Sequence, residues 1–329
     1  MGKELKVLVI RFSSIGDIVL TFHALRCLRE KHPNAEIHFL TKSTYAELLQ
    51  ASTFHDKTLF FEGDLMQTRC AIRAEKYTHI IDLHNNLRTR LLTAGIFGAR
   101  IKRVDKLNLQ KWLLTYFKLN KLPKRHLVDR YIFTFKDLGI KNDQNNTVFS
   151  IPKSAEIDLK HYDLLPGSFL AVVMGGQFTT KKFPVASLIQ VLTNCNLPIA
   201  LLGGEDEKVE AQKLMAALPA KNIHSFCGEL SLLSAASVVS KANRVLTNDT
   251  GLMHITAMFA VPIISIWGNT VPAFGMYPYR PSSENAVKIH QVSNLACRPC
   301  SKIGYQNCPK GHFDCMNKQD LNAIADDLN

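Results

Sequence analysis

The chain has 329 residues, more than the roughly 250–300 at which one hydrophobic core usually stops growing, so two domains are expected. Hydrophobic residues make up 46% and charged residues 21%, which excludes a disordered chain, a collagen and a small disulfide-stapled scaffold. No apolar run approaches the ~18 residues that a membrane-spanning helix needs. The apolar run at residues 7–10 is too short and wrongly flanked for a signal peptide, so we expect a cytoplasmic protein.

The formal net charge is +12, and most of it comes from one segment. Residues 86–130 contain twelve basic and two acidic side chains, a local charge of +10. A basic excess of this kind favours an anionic partner, although an ordinary solvated face has the same composition. Aromatic and aliphatic residues at 112–117 interleave with the basic ones, which suits either a helix at a bilayer interface or core packing.

Strand-like runs alternate with helical runs through the first half of the chain, the pattern of a parallel sheet covered by helices. We predict strands at residues 5–12, 36–40, 57–61, 78–83 and 100–104. Helices are predicted at residues 18–31 and 127–138. The first half therefore predicts one open α/β sheet.

A polar stretch at residues 142–146 and the Pro166-Gly167 pair indicate a domain boundary at about 145–168. We divide the chain into domains 1–155 and 156–329. The alternation restarts in the second domain, with strands predicted at residues 169–174, 198–202, 223–226, 244–247 and 262–267 and a terminal helix at 318–328. Two Rossmann-like, doubly wound parallel-sheet domains would face each other across a cleft and bind ligands at the carboxyl ends of the strands.

The turn after the first predicted strand, residues 11–17, lies where dinucleotide-binding enzymes carry a glycine-rich phosphate loop. The G-x-G-x-x-G fingerprint is missing, and an acidic residue beside a helix N-terminus would repel a pyrophosphate, so NAD binding is not expected. The residues leave two interpretations of Asp17 open. It is either a first-turn residue that satisfies backbone donors, or a general base.

The turn that opens the second domain, residues 174–184, has the composition of a phosphate-binding loop. Its glycine pair lets backbone approach a ligand, threonine hydroxyls donate to phosphate oxygens, and a lysine supplies a compact positive charge. A surface loop of mixed polarity would look similar. The candidate binding residues of this turn are Thr179, Thr180 and Lys182.

Two later turns repeat the strand-to-helix arrangement. Residues 201–207 place a glycine pair before carboxylates, including Glu207, that suit either a ribose hydroxyl pair or the first turn of a helix. Residues 247–254 place Asn-Asp-Thr-Gly at a helix N-terminus, whose amides suit an anion. His254 follows one turn later, as either a site residue or an ordinary core histidine.

Four motifs in order resemble the ADP-heptose:lipopolysaccharide heptosyltransferases, glycosyltransferase family nine. They are Ser-Ile-Gly-Asp at 14–17, Thr-Thr-Lys-Lys-Phe-Pro at 179–184, Asn-Asp-Thr-Gly-Leu-Met-His at 248–254 and Trp-Gly-Asn-Thr at 267–270. The resemblance covers nearly the whole chain. It implies the GT-B architecture, with the acceptor bound to the first domain and the nucleotide-sugar donor to the second.

The resemblance also implies roles for individual residues. Asp17 matches the general base, which takes the proton of the acceptor hydroxyl in a single inverting displacement at the anomeric carbon. The donor, an ADP-heptose-like nucleotide sugar, would be bound by Thr179, Thr180, Lys182, Glu207, Asp249, Gly251, Leu252 and His254.

The implied acceptor is a lipopolysaccharide that carries Kdo carboxylates and lipid A phosphates, which suits the basic segment of the first domain. A peripheral contact with the cytoplasmic face of the inner membrane fits the same charge, and nucleic acid is not an expected partner. We expect the acceptor to be bound by Ser14, Gly16, Arg88, Lys102 and Arg103.

No Asp-x-Asp pair occurs in the sequence, so we expect catalysis to need no metal ion or other cofactor. Four cysteines cluster near the C-terminus as C-x2-C-x7-C-x6-C, which resembles a zinc knuckle only in kind. We favour reduced thiols in a packed loop over a structural zinc ion or disulfides. The four residues are Cys297, Cys300, Cys308 and Cys315.

The leading hypothesis is therefore an inverting glycosyltransferase that adds a heptose or related sugar to a lipopolysaccharide inner core. Two alternatives remain. A sugar-nucleotide epimerase of similar fold would convert its nucleotide sugar without an acceptor. A basic nucleic-acid-binding protein would show steep salt-dependent binding to DNA or RNA.

Overall fold

The computed structural model describes residues 4–283 and 286–329, which form two compact units. The first unit contains the chain up to residue 106 together with residues 125–150, and the second contains residues 107–124 and the chain from residue 151 onward. The sequence placed the boundary at 155 and assigned 107–124 to the first domain. The structure differs because Lys118 Nζ donates to the carbonyl oxygens of Cys297 and Pro299, at 3.2 and 2.8 Å.

The first unit is built on a five-stranded parallel sheet in the order β3-β2-β1-β4-β5. The strands are β1 Lys6–Ile10, β2 Glu36–Thr41, β3 Lys57–Phe60, β4 His79–Asp82 and β5 Arg100–Arg103. The helices of this unit, numbered along the whole chain, are α1 Ile15–Lys31, α2 Ala46–Leu49, α3 Leu65–Ala74, α4 Leu87–Thr93 and α6 Leu127–Thr134.

The order of strands reverses between β1 and β4, which creates the switch point where open parallel sheets bind ligands. Residues 7–10 of β1 are fully buried, as expected for a central strand covered by helices on both faces. Phe12, just beyond the strand, stacks on Phe61 with ring centroids 4.8 Å apart. The polar residues that follow β1 and β4 are thereby placed at one edge of the sheet.

The second unit is built on a six-stranded parallel sheet in the order β11-β10-β9-β6-β7-β8. The strands are β6 Leu170–Val173, β7 Ile199–Leu202, β8 Ile223–Ser225, β9 Arg244–Asn248, β10 Ile263–Trp267 and β11 Val287–Gln291. The helices are α5 Asn108–Phe117, α7 Val185–Thr193, α8 Lys208–Ala217, α9 Leu232–Ser240, α10 Gly251–Thr256, α11 Asp314–Asn317 and α12 Leu321–Asp327.

The ten strands predicted from the sequence are all present, with ends that shift by one or two residues. The first helix begins at Ile15 rather than residue 18, because Ser14 is extended and serves as its N-cap. Strand β11 was missed. It lies at the sheet edge with mostly exposed side chains, so it lacks the buried apolar run that identified the others. None of the helices within the described residues is long and apolar enough to span a bilayer.

The basic segment is divided between the two units, which corrects the expectation that all of it belongs to the acceptor domain. Helix α5 and the chain up to residue 124 carry four of its lysines into the second unit. Leu114 is buried there, whereas Trp112, Tyr116 and Phe117 are exposed. Core packing therefore accounts for only one side of this helix.

Candidate active site

Asp17 lies in the first turn of α1, directly after the switch-point strand β1. Its Oδ2 atom accepts hydrogen bonds from the Ser14 hydroxyl at 2.9 Å and from the Ser14 N–H at 3.3 Å. Its Oδ1 atom lies 2.7 Å from Arg11 Nη2, and the Tyr131 hydroxyl donates to it at 3.4 Å. Asp17 is therefore a capping residue and the partner of an arginine at the same time.

Arg11 is fixed by backbone carbonyls as well as by Asp17. Its Nε donates to Ser13 O at 2.6 Å and its Nη1 to Leu83 O at 2.7 Å. Burial disfavours a charged guanidinium, but Asp17, Tyr131 and Asp82 together favour it, and the pKa of Arg11 is raised. Burial, with a contribution from Asp17, likewise raises the pKa of Tyr131. The carboxylate thus faces one cation and one phenolic donor in a fixed geometry.

A second carboxylate at the same sheet edge was missed by the sequence analysis. Asp82 ends β4, is fully buried, and accepts from the N–H groups of His84 and Asn85 at 3.0 and 2.7 Å. Its Oδ2 lies 3.8 Å from Arg103 Nε. The available signal was an acidic residue near the end of the strand predicted at 78–83, just before His-Asn-Asn.

His84 lies beside this group of charges and remains neutral. Burial, together with Arg11 and Lys106, lowers the pKa of His84 to about 3. Its ring packs 5.1 Å from Phe12, centroid to centroid. His84 is consequently not a cation that could compete with Arg11 for Asp17.

The structure separates the residues predicted to bind the acceptor. Ser14 and Gly16 lie in the same turn as Asp17. Arg103 Nη2 donates to Thr93 Oγ1 at 2.9 Å, and Arg103 Nε lies 3.8 Å from Asp82 Oδ2. Lys102 pairs instead with Asp137, at 2.6 Å.

Neighbouring residues of a strand point to opposite faces of its sheet, so Lys102 and Arg103, which are consecutive in β5, do not converge on one site. Their assignment to the acceptor stays a prediction. Arg88 is exposed near the start of α4.

In the second unit, the turns after β6, β7 and β9 meet because these strands are neighbours in the sheet. The Lys182 ammonium forms a short ion pair with Glu207 Oε1, and the other oxygen of Glu207 accepts from the Gly204 N–H at 2.8 Å. Lys181 Nζ lies 2.6 Å from Asp249 Oδ2. Two lysines of one loop are thus each paired with a carboxylate from another strand end.

Lys181 was not among the predicted donor-binding residues. The sequence signal for it is the Lys-Lys doublet before Phe183, which does not by itself say which lysine points to the ligand. The structure gives both lysines an acidic partner, and Asp249 also accepts from the Thr270 hydroxyl at 2.8 Å. The turn at residues 267–270 therefore joins the same group.

The loop that carries the two lysines is held against β9 by Asn248. Its side-chain oxygen accepts from the Phe183 N–H at 3.1 Å, and its Nδ2 lies 3.2–3.3 Å from three consecutive carbonyl oxygens. Those carbonyls belong to Val173, Met174 and Gly175. The ends of the loop are therefore fixed, while the lysine side chains between them stay partly exposed.

Thr180 has a structural role in this arrangement. Its hydroxyl donates to the Tyr305 carbonyl at 2.9 Å and accepts from the Tyr305 N–H at 2.8 Å, and the residue is buried. Both hydrogen-bonding functions are thus directed to the cysteine-rich loop. Thr179 is exposed, and its hydroxyl donates to Gln306 at 3.3 Å.

Helix α10 presents the remaining predicted donor residues. Gly251 is its first residue, and the Thr250 hydroxyl caps it by accepting from the Met253 N–H at 3.3 Å. Leu252 and His254 are buried. His254 lies on a short helix that begins beside Asp249, and its donor-binding role stays a prediction.

Glycines allow the second-unit group to pack this closely. A Cβ atom on Gly203 would lie 2.7 Å from Glu207 Cβ, and one on Gly175 would lie 3.3 Å from Glu207 Oε2. Any larger residue at position 203 would displace Glu207 from Lys182. The glycine pairs noted in the sequence therefore position the acidic partner of a lysine.

Residues 66–309 match the family model of glycosyltransferase family 9 (heptosyltransferase), which is more than half of the chain. The chain belongs to glycosyltransferase family 9. Among curated family relatives, it is 25% identical to lipooligosaccharide heptosyltransferase 2 of Haemophilus influenzae, covering 82% of this chain and 85% of the relative. It is 24% identical to lipopolysaccharide heptosyltransferase 1 of Pseudomonas aeruginosa, covering 96% and 93%.

Solved structures of family 9 proteins share the fold. A glycosyltransferase of this family from Veillonella parvula superposes with a TM-score of 0.78 at 18% identity, covering 100% of this chain and 98% of the other. The E. coli heptosyltransferase WaaC with ADP gives a TM-score of 0.68 at 19% identity, covering 98% and 99%. This family 9 enzyme accordingly has the GT-B fold, with one parallel-sheet α/β domain in each unit.

Family membership gives the two charged groups a chemical context. A glycosyltransferase needs a base for its acceptor hydroxyl and positive charge for its leaving group. The first unit of this family 9 enzyme holds a carboxylate at its switch point, and the second holds two lysines at the ends of neighbouring strands.

Proposed function

We propose that this family 9 glycosyltransferase transfers a heptose from ADP-heptose to an anionic lipopolysaccharide inner-core acceptor. The observation that carries the proposal is the family match over residues 66–309, in which the paired lysines Lys181 and Lys182 lie. Curated relatives of comparable length are named lipopolysaccharide or lipooligosaccharide heptosyltransferases, which supports this choice of sugar and acceptor.

The second unit binds the donor. When the diphosphate arrives, its oxygens replace Glu207 and Asp249 as partners of the two lysines, because a phosphate accepts charge-assisted hydrogen bonds from both. Glu207 is then free to accept from ribose hydroxyls. The lysine side chains can make this change since an ammonium on a flexible stem is easily redirected.

The first unit activates the acceptor. Asp17 accepts the proton of the acceptor hydroxyl while that oxygen forms a bond to the anomeric carbon of the heptose. The bond from the anomeric carbon to the phosphate oxygen breaks, and ADP leaves with the electron pair. Arg11 and Ser14 hold the carboxylate in place during this single displacement, which inverts the anomeric centre.

No metal ion is required in this proposal. Positive charge for the leaving group comes from lysines, and the sequence has no Asp-x-Asp pair to hold a divalent ion at a diphosphate.

Helix α5 provides the proposed peripheral contact with the cytoplasmic face of the inner membrane. Leu109, Trp112, Tyr116 and Phe117 are exposed on it, and basic residues follow up to position 124. Exposed aromatic residues beside lysines are typical of helices that lie at a bilayer interface. We expect vesicles with anionic lipids to retain the enzyme and Trp112→Ala together with Phe117→Ala to weaken that retention.

A thermal-shift screen tests the donor assignment, because only a ligand of the native state raises the melting temperature. We expect ADP-heptose and ADP to raise it, and UDP- and GDP-sugars to have little effect. A shift with UDP-sugars alone would contradict the choice of donor. Conversion of the nucleotide sugar without any acceptor would favour an epimerase instead.

A further inference from the structure

Asp82 is a buried carboxylate at the carboxyl end of β4 that the proposed reaction does not use. In the register of the sheet, it pairs with Ile10 of β1 on one side and with Arg103 of β5 on the other. Within residues 4–283 and 286–329, its Oδ2 atom accepts no hydrogen bond, and Arg103 Nε lies 3.8 Å away. A fully buried carboxylate with an unbonded oxygen is unfavourable unless positive charge lies nearby.

The turn after β4 connects Asp82 to Arg11. The other oxygen of Asp82 accepts from the N–H groups of His84 and Asn85 at 3.0 and 2.7 Å, and Asn85 has a positive φ of 43°. Within this turn, the Leu83 carbonyl accepts from Arg11 Nη1 at 2.7 Å. Asp82 therefore fixes the turn whose carbonyl oxygen holds the guanidinium.

Electrostatic attraction connects the same two side chains. Burial opposes the charged form of Arg11, yet its pKa is raised, and Asp82 is among the groups that raise it. The side chains of Arg11, Asp17, Asp82 and Arg103 carry a total charge of zero. Without Asp82, the group would have one excess positive charge, and the Asp17 carboxylate would accept a proton less readily.

We propose that Asp82 is a positioning residue for the Arg11–Asp17 pair. It fixes Arg11 through the Leu83 carbonyl and offsets the guanidinium charge with a buried charge of its own. The inference rests on the proposed role of Asp17 as general base. Arg11 holds Asp17 in place, but an unbalanced arginine would make that carboxylate a weak base. Asp82 therefore acts on the reaction through other residues.

Other titratable groups also face Asp17, and none of them changes charge between pH 5 and 8. Burial lowers the pKa of His84 to about 3 and raises the pKa values of Tyr45 and Tyr131. Arg130 also interacts with Asp17 and stays positively charged in this pH range. A change in the pH dependence of turnover in this range therefore reports on Asp17 itself.

The pH dependence of turnover at saturating substrates tests the charge of Asp82. Asp82→Asn keeps a side-chain oxygen for the two N–H groups of the turn and removes the charge. The acid limb, where protonation of Asp17 stops turnover, should move to lower pH by roughly 0.5–1 unit. The plateau should fall by about 3-fold, because a weaker base transfers the proton more slowly. Asp82→Ala also releases the turn, so it should lose more turnover than Asp82→Asn.

Asp143→Asn is the matched control. It removes a carboxylate of the same unit that pairs with Arg26 rather than Arg11, so the acid limb should stay at the wild-type pH. If the Asp82 variants fail to fold, Arg103→Gln decides the question. It removes positive charge from the other side of Asp82, so the acid limb should move to higher pH.

Carbon NMR measures the same effect without turnover. In enzyme labelled with γ-¹³C aspartate, Asp17→Asn identifies the Asp17 signal, which should titrate at lower pH in Asp82→Asn than in wild type. An unchanged or higher titration pH in folded Asp82→Asn enzyme would overturn the inference. So would an acid limb that Arg103→Gln leaves in place, or equal turnover of folded Asp82→Asn and Asp82→Ala. Failure of the proposed function would instead appear as wild-type enzyme without transfer activity.

Discussion

Both units place charged side chains at the carboxyl ends of their parallel strands, but the two units fix these side chains differently. In the first, Arg11 is bound by two backbone carbonyls as well as by Asp17, so the ion pair has one geometry. In the second, Lys181 and Lys182 each meet one carboxylate at the end of a flexible stem. A rigid guanidinium suits a group that must stay in place, and a lysine suits one that must exchange partners. The difference predicts a preformed acceptor side and a donor side that rearranges.

Among variants of the two units, Asp17→Asn should have the largest effect on turnover. Removal of the base should lower turnover by roughly 10²–10⁴-fold, with donor affinity nearly unchanged. Asparagine keeps one side-chain oxygen where aspartate uses one for Ser14 and the other for Arg11, so it would leave Arg11 without its carboxylate. Stability should therefore fall as well, by less than the ~3–5 kcal/mol of a fully buried pair, since both side chains are slightly exposed.

A matched control separates the loss of stability from the loss of the base. Asp143 pairs with the largely buried Arg26 at 2.6 Å in the same unit, away from the sheet edge that carries Asp17. Asp143→Asn should lower the melting temperature, although Arg26 keeps Glu30 as a partner at 2.8 Å, and leave turnover close to wild type. Near-normal turnover of a folded Asp17→Asn enzyme, measured beside this control, would remove Asp17 from the mechanism.

Replacing the lysines should have the next largest effect. Lys181→Ala and Lys182→Ala should each weaken donor binding by about 10- to 100-fold, the range for one hydrogen bond to a charged group. Calorimetry with ADP would give the loss in affinity, and turnover at saturating donor would show which lysine also assists departure of the phosphate.

Glu207→Gln and Asp249→Asn are the matched controls for the lysine variants. They remove the competing carboxylates and keep both cations. If the lysines exchange partners, Asp249→Asn should bind ADP at least as tightly as wild type. Glu207→Gln should lose only the part of the ADP affinity that comes from the ribose hydroxyls. Unchanged ADP affinity in both lysine variants would contradict the exchange.

Charge reversal on β5 should have a smaller effect and should depend on the face of the sheet. Arg103→Glu should raise the acceptor KM at low salt, where screening is weak. Lys102→Glu should not, because Lys102 faces the other way and is paired with Asp137. Steady-state kinetics with charged and uncharged acceptor analogues would check this, and equal effects of the two variants would show that β5 acts only through general electrostatic attraction.

We expect divalent metal ions to have no effect on turnover. Brief treatment with EDTA and addition of Mg²⁺ or Mn²⁺ should leave turnover unchanged, because the proposed mechanism takes the positive charge at the leaving group from lysines. Activity that disappears in EDTA and returns with either of these ions would contradict metal-independent transfer.

The sequence predicted most of the fold because its parallel strands are buried and read as short apolar runs. It also identified the turns that carry Asp17 and Glu207, since polar residues directly after such strands must lie at one sheet edge. The sequence did not predict which side chains would contact one another. That Thr180 is bound by Tyr305 depends on a contact across 125 positions of the chain, and no local pattern reports it.

The segment at residues 107–124 was assigned to the wrong unit for a related reason. Its position in the chain and its charge both suggested the first domain, whereas the three carbonyls that bind the Lys118 ammonium lie in the second unit. Asp82 was missed because it lies within a predicted strand, whereas Asp17 lies in the turn that follows one. The unit of residues 107–124 follows only from three-dimensional contacts, whereas the signal for Asp82 is present in the sequence.

The central claim, transfer of a heptose to a lipopolysaccharide acceptor, is tested most directly by mass spectrometry of the acceptor. Purified enzyme is incubated with ADP-heptose and Kdo-lipid A, and parallel samples omit one substrate or use Asp17→Asn. The account predicts an acceptor heavier by one heptosyl residue and an equal amount of ADP, only in the complete wild-type sample. An unchanged acceptor with an enzyme that is folded and binds ADP-heptose would contradict it.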